Sequence, residues 1–314
     1  MRIVFLGTST FAASILKHIS QEFSENIVAV VTKPDKPVGR GQKLQPPPVK
    51  ETAKNLLPNV PILQPERVST AEAIDQLKKL SPDLFIVVAF GEILKKEVLL
   101  VPSIGAFNIH ASLLPAYRGA APIQRALMDG ALQTGITIFR LNPKMDSGDI
   151  VWKKSCSIGE NENAGELTER LLEVSKKGVV ELLQKATKNK LAFSKQPQKG
   201  VSLAPKLVPG DLMLDQSWEL QKIHNHVRAL SPKPGSYFLV AHQGEKKRFK
   251  IIQTHLDSSI SSQVKGWFKT KDGRLGFSDS KKALIIDILQ LEGRKAMSSE
   301  EFLRGVSLED LLFF

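Results

Sequence analysis

A chain of 314 residues with 42% hydrophobic side chains can fill more than one core, so two domains are expected. The formal charge of +12 points to an anionic partner, either a nucleic acid or a membrane surface. The lone cysteine, Cys156, excludes an intrachain disulfide framework, the opening apolar run is too short for a secretion signal, and no stretch approaches the roughly 20 apolar residues that cross a bilayer; a reducing, cytoplasmic location is expected.

Taken in chain order, short Val-, Ile- and Phe-rich runs alternate with amphipathic ones. Strands are predicted at Ile3 to Leu6, Ile27 to Val31, Leu84 to Ala89 and Ala106 to His110, and helices over "FAASILKHI" and "TAEAIDQLKKL". The strand runs show little polar alternation, as expected where helices cover both faces of a parallel sheet. This is an open, doubly wound, Rossmann-type arrangement. The first turn, "FLGTSTFAA", holds only Gly7 where a dinucleotide fingerprint needs three glycines, so no NAD site is expected.

Residues 32–50, "TKPDKPVGRGQKLQPPPVK", carry Lys33, Lys36, Arg40, Lys43 and Lys50 against Asp35 alone, and their prolines and glycines predict an irregular loop. Structureless loops of this length in compact domains tend to be functional.

The stretch "FNIHASLLPAYRG" ends the strand at 106 to 110. Alternation along it directs Asn108 and His110 to one face and Phe107 and Ile109 to the other. Further on, "LNPKMDSGDI" places Asp146 in a turn between two apolar runs, and such a turn can bring a carboxylate over the carboxyl ends of the strands, where open α/β sheets bind ligands. An amide, an imidazole and a carboxylate that converge suit acyl transfer to an amine. Asn108 would donate to an oxyanion, His110 would donate to it or shuttle a proton, and Asp146 would orient the imidazole and stabilise its charged form. No nucleophile elbow is present, and the six histidines form no H-x-x-x-H or H-E-x-x-H pattern, so neither covalent catalysis nor a metal site is expected.

Between about 185 and 210 the composition shifts to Lys185, Lys188, Lys190, Lys195, Lys199 and Lys206 with prolines and no acidic residue, which reads as an extended basic linker. One amphipathic helix, "SWELQKIHNHVRAL", then precedes "SYFLVA", "KRFKIIQTHL", "VKGWF", "GRLGF" and "ALIIDILQL", a succession that suggests a small OB-like β-barrel. The expected organisation is a catalytic domain at 1–185 with the basic loop 32–50 inserted, a linker at 186–206 and a β-barrel at 207–314.

The runs "FNIHASLLPAYRGAAPIQRAL", "MDSGDI", "IVVAFGEIL" and "KPDKPVGRGQKLQPPPVK" together resemble the methionyl-tRNA formyltransferases, in order and spacing, over most of residues 1 to 185. The N-I-H-x-S-L-L-P-x-Y-R-G run is shared with the wider group of enzymes that use 10-formyltetrahydrofolate, while the G-R-G loop and "AAPIQ" narrow the likeness to the tRNA enzymes. The resemblance implies transfer of a formyl group from 10-formyltetrahydrofolate to the α-amine of initiator methionyl-tRNA, with no metal and no obligate protein partner. It puts Asn108, His110 and Asp146 in the catalytic places, and Ser112, Leu113, Leu114 and Pro115 in a folate-binding turn. Phe90, Gly91, Ile93 and Leu94 would line the pterin pocket. Arg40 and Lys43 would approach the end of the tRNA acceptor stem, with Lys195, Lys206 and the barrel on backbone phosphates. Ser9 and Thr10 stand where the family pattern has a proline and an acid, and Lys233 where it commonly has an aromatic residue. A sugar-nucleotide formyltransferase, a formyltetrahydrofolate hydrolase or a non-catalytic RNA-binding protein on the same fold are the competing readings.

Overall fold

The computed structural model describes residues 1–39, 41–259 and 265–314. Strand β1 (Ile3–Gly7) is buried along its whole length and leads into helix α1 (Thr10–Phe23). Ser9 caps that helix: its hydroxyl accepts from the Ala12 N–H at 3.2 Å, so the departure from the family's proline supplies an N-terminal cap of its own. Helix α1 buries Ala12, Ile15, Leu16 and Ile19, the spacing of one helical face.

After β2 (Ile27–Val31) the region expected to be irregular contains a hairpin of β3 (Lys36–Val38) and β4 (Lys43–Gln45), which pair antiparallel. The expectation failed because the glycines and proline that break longer elements also build tight ones. Gly39 takes φ 75° at the turn, and Pro37, which has no N–H to offer, is tolerated in a two-stranded ribbon. Helix α2 (Pro48–Leu56) starts on Pro48, whose missing N–H costs nothing in a first turn.

Then follow β5 (Ile62–Leu63), α3 (Ala71–Lys79), β6 (Leu84–Val88), α4 (Lys96–Leu99), β7 (Gly105–His110), β8 (Arg118–Gly119), α5 (Pro122–Met128), β9 (Gln133–Arg140), β10 (Ile150–Ser157) and α6 (Ala164–Thr187). The main sheet has the order β10-β9-β7-β6-β1-β2-β5. Strand β1 is parallel to both neighbours, β6 to β7 and β2 to β5, whereas β7 and β9 run antiparallel. The strand order therefore reverses at β1, and the parallel strands end together on the edge that carries Gly7, Val88 and His110.

The chain sorts into two compact units that interleave along the sequence: Met1–Gly119, Gly135–Cys156 and Arg170–Leu203 form one, and Ala120–Thr134, Ser157–Glu169 and Ala204–Phe314 the other. Residues 190–197, read from the sequence as linker, run without helix between turns at 188–189 and 198–200 and belong to the first unit. Ser194 bridges to Ile150, and the Phe193 ring stacks on Phe107 with centroids 6.3 Å apart.

The second unit holds α7 (Leu220–Leu230), β12 (Ser236–His242), β13 (Glu245–Asp257), β14 (Lys265–Lys269), β15 (Leu275–Asp279), β16 (Ala283–Leu291), β17 (Met297–Ser298), α8 (Ser299–Gly305) and β18 (Leu312–Phe313). Its antiparallel sheet, ordered β14-β15-β16-β13-β12-β18, curls into the half-barrel expected of an OB-like domain. The two edges meet through side chains: Trp267 of β14 stacks on Phe313 of β18 with centroids 4.0 Å apart. Phe238, Phe249, Ile251, Ile286, Leu289 and Phe302 fill the interior. Lys233, in the turn before β12, is exposed.

Helix α7 also buries polar groups, and each is matched. His224 bonds Thr254 Oγ1 at 2.9 Å and the Glu160 carbonyl at 3.2 Å. His226 bonds the Asp211 carbonyl and meets the Trp218 ring edge-on at 5.0 Å. Arg228 donates to Asn225 and to the carbonyls of Gly159 and Glu162. Burial pushes both imidazoles below their ordinary value of 6.5 and lowers the Arg228 guanidinium. Arg125 of α5 holds Asp211 with two bonds of 3.0 and 2.7 Å, and these keep the Asp211 carboxyl below the usual range.

Candidate active site

The candidate site of the first unit is built on β7. Phe107 and Ile109 are buried in the sheet, and Asn108 and His110 share the opposite face two residues apart. His110 ends the strand with only 5% of its surface exposed. Its Nε2 lies 2.8 Å from the Tyr117 carbonyl oxygen, which can only accept, so Nε2 carries a proton. The other ring nitrogen, Nδ1, faces Asp146 Oδ2 at 3.7 Å. That is an ion-pair distance and too long for a hydrogen bond. The hydrogen bond that fixes the ring is made by a main-chain carbonyl, and Asp146 adds an ion-pair contact at the other nitrogen. Among the described residues, the Asn108 side-chain amide makes no hydrogen bond.

Asp146 stands in the turn between β9 and β10, with φ 45°. A left-handed aspartate costs on the order of 1 kcal/mol and persists only where its surroundings fix it. Three contacts do so. The Gly119 N–H donates to Asp146 Oδ2 at 2.8 Å. Gln196 Nε2 donates to the carbonyls of Asp146 and Gly148, each at 2.9 Å. Gly148 also lets the turn close, because a Cβ there would collide with the Arg140 carbonyl oxygen.

Gln196 is 9% exposed, and its Oε1 accepts from Arg118 Nη2 at 2.7 Å. Sequence reasoning missed it. Its only signal was one of two glutamines flanking Pro197 in a basic stretch, which reads as solvated linker.

The turn after β7 is tightly held. Ser112, fully buried, donates to the Ala116 carbonyl at 2.6 Å, and its own carbonyl accepts from Thr137 Oγ1 at 2.7 Å. The Leu114 N–H donates to the same Thr137 oxygen, and Lys153 Nζ donates to the Leu114 carbonyl at 2.7 Å. Burial lowers the Lys153 ammonium. Leu113 is half-buried and Pro115 buried.

The segment after β6 curls through positive φ at Ala89 (43°) and Gly91 (79°), and the Thr8 hydroxyl donates to the Phe90 carbonyl at 3.0 Å. Phe90 and Leu94 join the core under the sheet, whereas Ile93 is 71% exposed. Lys33 pairs with Glu92 of this segment, and Asp35 accepts from Lys50 and Gln64 across the base of the hairpin, which hold its carboxyl below the usual range. Lys43, Lys195 and Lys206 are exposed, and Leu44 is a 70% exposed apolar side chain in the hairpin. Arg40, expected to approach the end of the tRNA acceptor stem, lies outside the described residues. Among the described residues no group of His, Cys, Asp and Glu could hold a metal ion, and no helix is long and apolar enough to cross a membrane.

Two family models match the chain: formyl transferase over residues 1–183, and the formyl transferase C-terminal domain over 206–307. Curated relatives match end to end. A methionyl-tRNA formyltransferase of Protochlamydia amoebophila is 38% identical over 313 residues, covering 100% of this chain and 98% of the relative. One of Geobacter metallireducens is 40% identical over 309 residues, covering 98% and 97%. Among solved structures, an N-formyltransferase from Helicobacter canadensis in complex with folinic acid and dTDP-3-aminofucose superposes with a TM-score of 0.68 at 19% identity, covering 91% of this chain and 98% of that one. HypX from Aquifex aeolicus in complex with tetrahydrofolic acid gives 0.63 at 15% identity, covering 98% and 48%. At such identities the structural likeness speaks for the fold.

Proposed function

The chain belongs to the formyl transferase family, among its methionyl-tRNA formyltransferases, and on that premise we propose that it moves the formyl group of 10-formyltetrahydrofolate onto the α-amine of initiator methionyl-tRNA. The observation that carries the reading is the idle Asn108 amide on the same face of β7 as an imidazole whose free nitrogen faces a carboxylate.

The folate supplies an activated formyl carbon. A free α-amine has a pKa of roughly 7.7 to 8.0, so an appreciable neutral fraction attacks that carbon near pH 7 without a strong base. The new carbon–nitrogen bond forms as the carbonyl electrons move onto oxygen, and the Asn108 amide donates to that oxygen. With Nε2 committed to the Tyr117 carbonyl, His110 meets the reacting group through Nδ1, which donates to the oxyanion or passes the amine's proton to the departing folate nitrogen. Asp146 balances positive charge on the ring. The carbon–nitrogen bond to the folate then breaks, and the proton leaves with that nitrogen.

In this reading Phe90, Gly91, Ile93 and Leu94, with the turn Ser112, Leu113, Leu114 and Pro115, border the folate. Arg40 and Lys43 meet the acceptor end of the tRNA, and Lys195, Lys206 and the half-barrel meet its phosphates, in keeping with the +12 charge. The functional division is a catalytic part at 1–185, a linker at 186–206 and an RNA-binding part at 207–314. A cytoplasmic location, where translation begins, completes the reading.

Purified protein incubated with 10-formyltetrahydrofolate and methionyl-tRNA should yield formylmethionyl-tRNA and tetrahydrofolate in equal amounts. Release of formate without an acceptor, or transfer to an amino-sugar nucleotide in preference to the tRNA, would overturn it.

A further inference from the structure

Four contacts in the first unit close a circuit around Asp146. Arg118 and Gly119 are consecutive in the chain. Gly119 donates its N–H to the Asp146 carboxylate, and Arg118 donates to Gln196 Oε1. Gln196 returns to Asp146 through its carbonyl and secures Gly148 as well. The carboxylate is thus gripped from one side and its backbone from the other, and both grips are anchored on the same two residues of β8. Gln196 spends both polar atoms of its side chain in this circuit while nine-tenths buried, although it stands in a lysine-rich stretch whose neighbours Lys195 and Pro197 are exposed.

We propose that Gln196 is a positioning residue for the reaction: it holds the Asp146 turn in its left-handed conformation and so sets the separation between the carboxylate and His110 Nδ1. The stretch is then part of the catalytic apparatus as well as a connection. A surface tether would tolerate substitution at 196. A residue that fixes a carboxylate 3.7 Å from a ring would not, because at that separation a displacement of about 1 Å changes the interaction substantially and misplacement on this scale costs on the order of 10²-fold in rate. The inference rests on the formyl-transfer reading for its kinetic consequence and on the contacts alone for its structural one.

Two measurements on the full chain test it. Gln196→Ala and Gln196→Met, the latter keeping the side chain's length, should lower kcat by about 10- to 100-fold with KM for both substrates within about threefold. Combining Gln196→Met with Asp146→Asn should add little to the loss from Asp146→Asn alone, since both changes act through one carboxylate. Independently of activity, hydrogen exchange at the amides of residues 146–150 should quicken in Gln196→Met while the core strands β1 and β6 stay protected. An unchanged kcat, losses that multiply in the double variant, or unchanged exchange in the turn would each overturn the proposal. A native protein that forms no formylmethionyl-tRNA would defeat the functional reading, and the exchange measurement would still decide the role of Gln196.

Discussion

The histidines of the two units are buried alike and bonded differently. On α7, His224 has a partner at each ring nitrogen, and Asn225 and Arg228 complete a belt in which polar groups answer one another. On β7, His110 has one nitrogen bonded, the other only near a carboxylate, and beside it the Asn108 amide, which has no partner among the described residues. Buried polar groups that are fully matched stabilise a fold, whereas groups left partly open in a rigid frame are available for a reaction. Burial alone does not separate the two cases; the completeness of the hydrogen bonding does.

The sharpest way to break this contrast is to remove one ring from each unit. His110→Ala should lower kcat on the order of 10²- to 10³-fold and also cost about 1–3 kcal/mol, because the Tyr117 carbonyl loses its donor. His224→Ala should leave kcat within about twofold and destabilise the protein by about 1–3 kcal/mol, because Thr254 and the Glu160 carbonyl lose their partner. Steady-state formylation and urea unfolding of the same two preparations decide it.

Asp146→Asn sharpens the active-site half. The amide oxygen still accepts from Gly119 N–H, so the turn should survive with an unchanged Tm, while the loss of charge beside Nδ1 should lower kcat by more than about 10-fold. On the structural half, Arg125→Ala leaves a half-buried carboxylate without its two bonds. It should cost about 1–3 kcal/mol in urea unfolding with the rate intact.

The matched histidines also predict a pH dependence. The rings of His224 and His226 resist protonation in the folded chain and accept protons near pH 6.5 when it unfolds. The unfolded state therefore binds more protons as the solution acidifies. This contribution to stability is complete above about pH 6.5 and declines as the pH falls below it. Urea midpoints at pH 7.5 and pH 5.5 should show the drop, and it should shrink when His224 is replaced by Phe. At the small end, Arg304→Ala removes an exposed i,i+4 pair with Glu300 and should cost no more than about 0.5 kcal/mol.

The βα frame and the two side chains on β7 were legible because both follow from local rules: apolar runs of strand length, and alternation along a strand. The turn at Asp146 was legible as a turn between apolar runs. What stayed hidden depends on contacts between distant main-chain atoms. The Tyr117 carbonyl that fixes His110 carries no residue-specific signal, since every residue has a carbonyl. Gln196 was hidden by composition, as a polar residue among lysines reads as solvated until its partners 48 to 78 positions away are known. The β3–β4 hairpin was hidden because its glycines and proline are the residues that also mark disorder. In the half-barrel the β-rich pattern was plain, but the Trp267–Phe313 stack that joins its edges links segments that no periodicity relates.

If Asn108 and His110 act on the formyl group and other parts of the molecule bind the tRNA, the two functions should separate by mutation. Single-turnover formylation by Asn108→Ala and His110→Ala, measured beside their affinity for methionyl-tRNA, tests it most directly. The expected result is a rate reduced on the order of 10²-fold or more in each variant with affinity within about threefold of the native protein. Native rates in either variant, or a loss of rate that higher tRNA concentration restores, would contradict it.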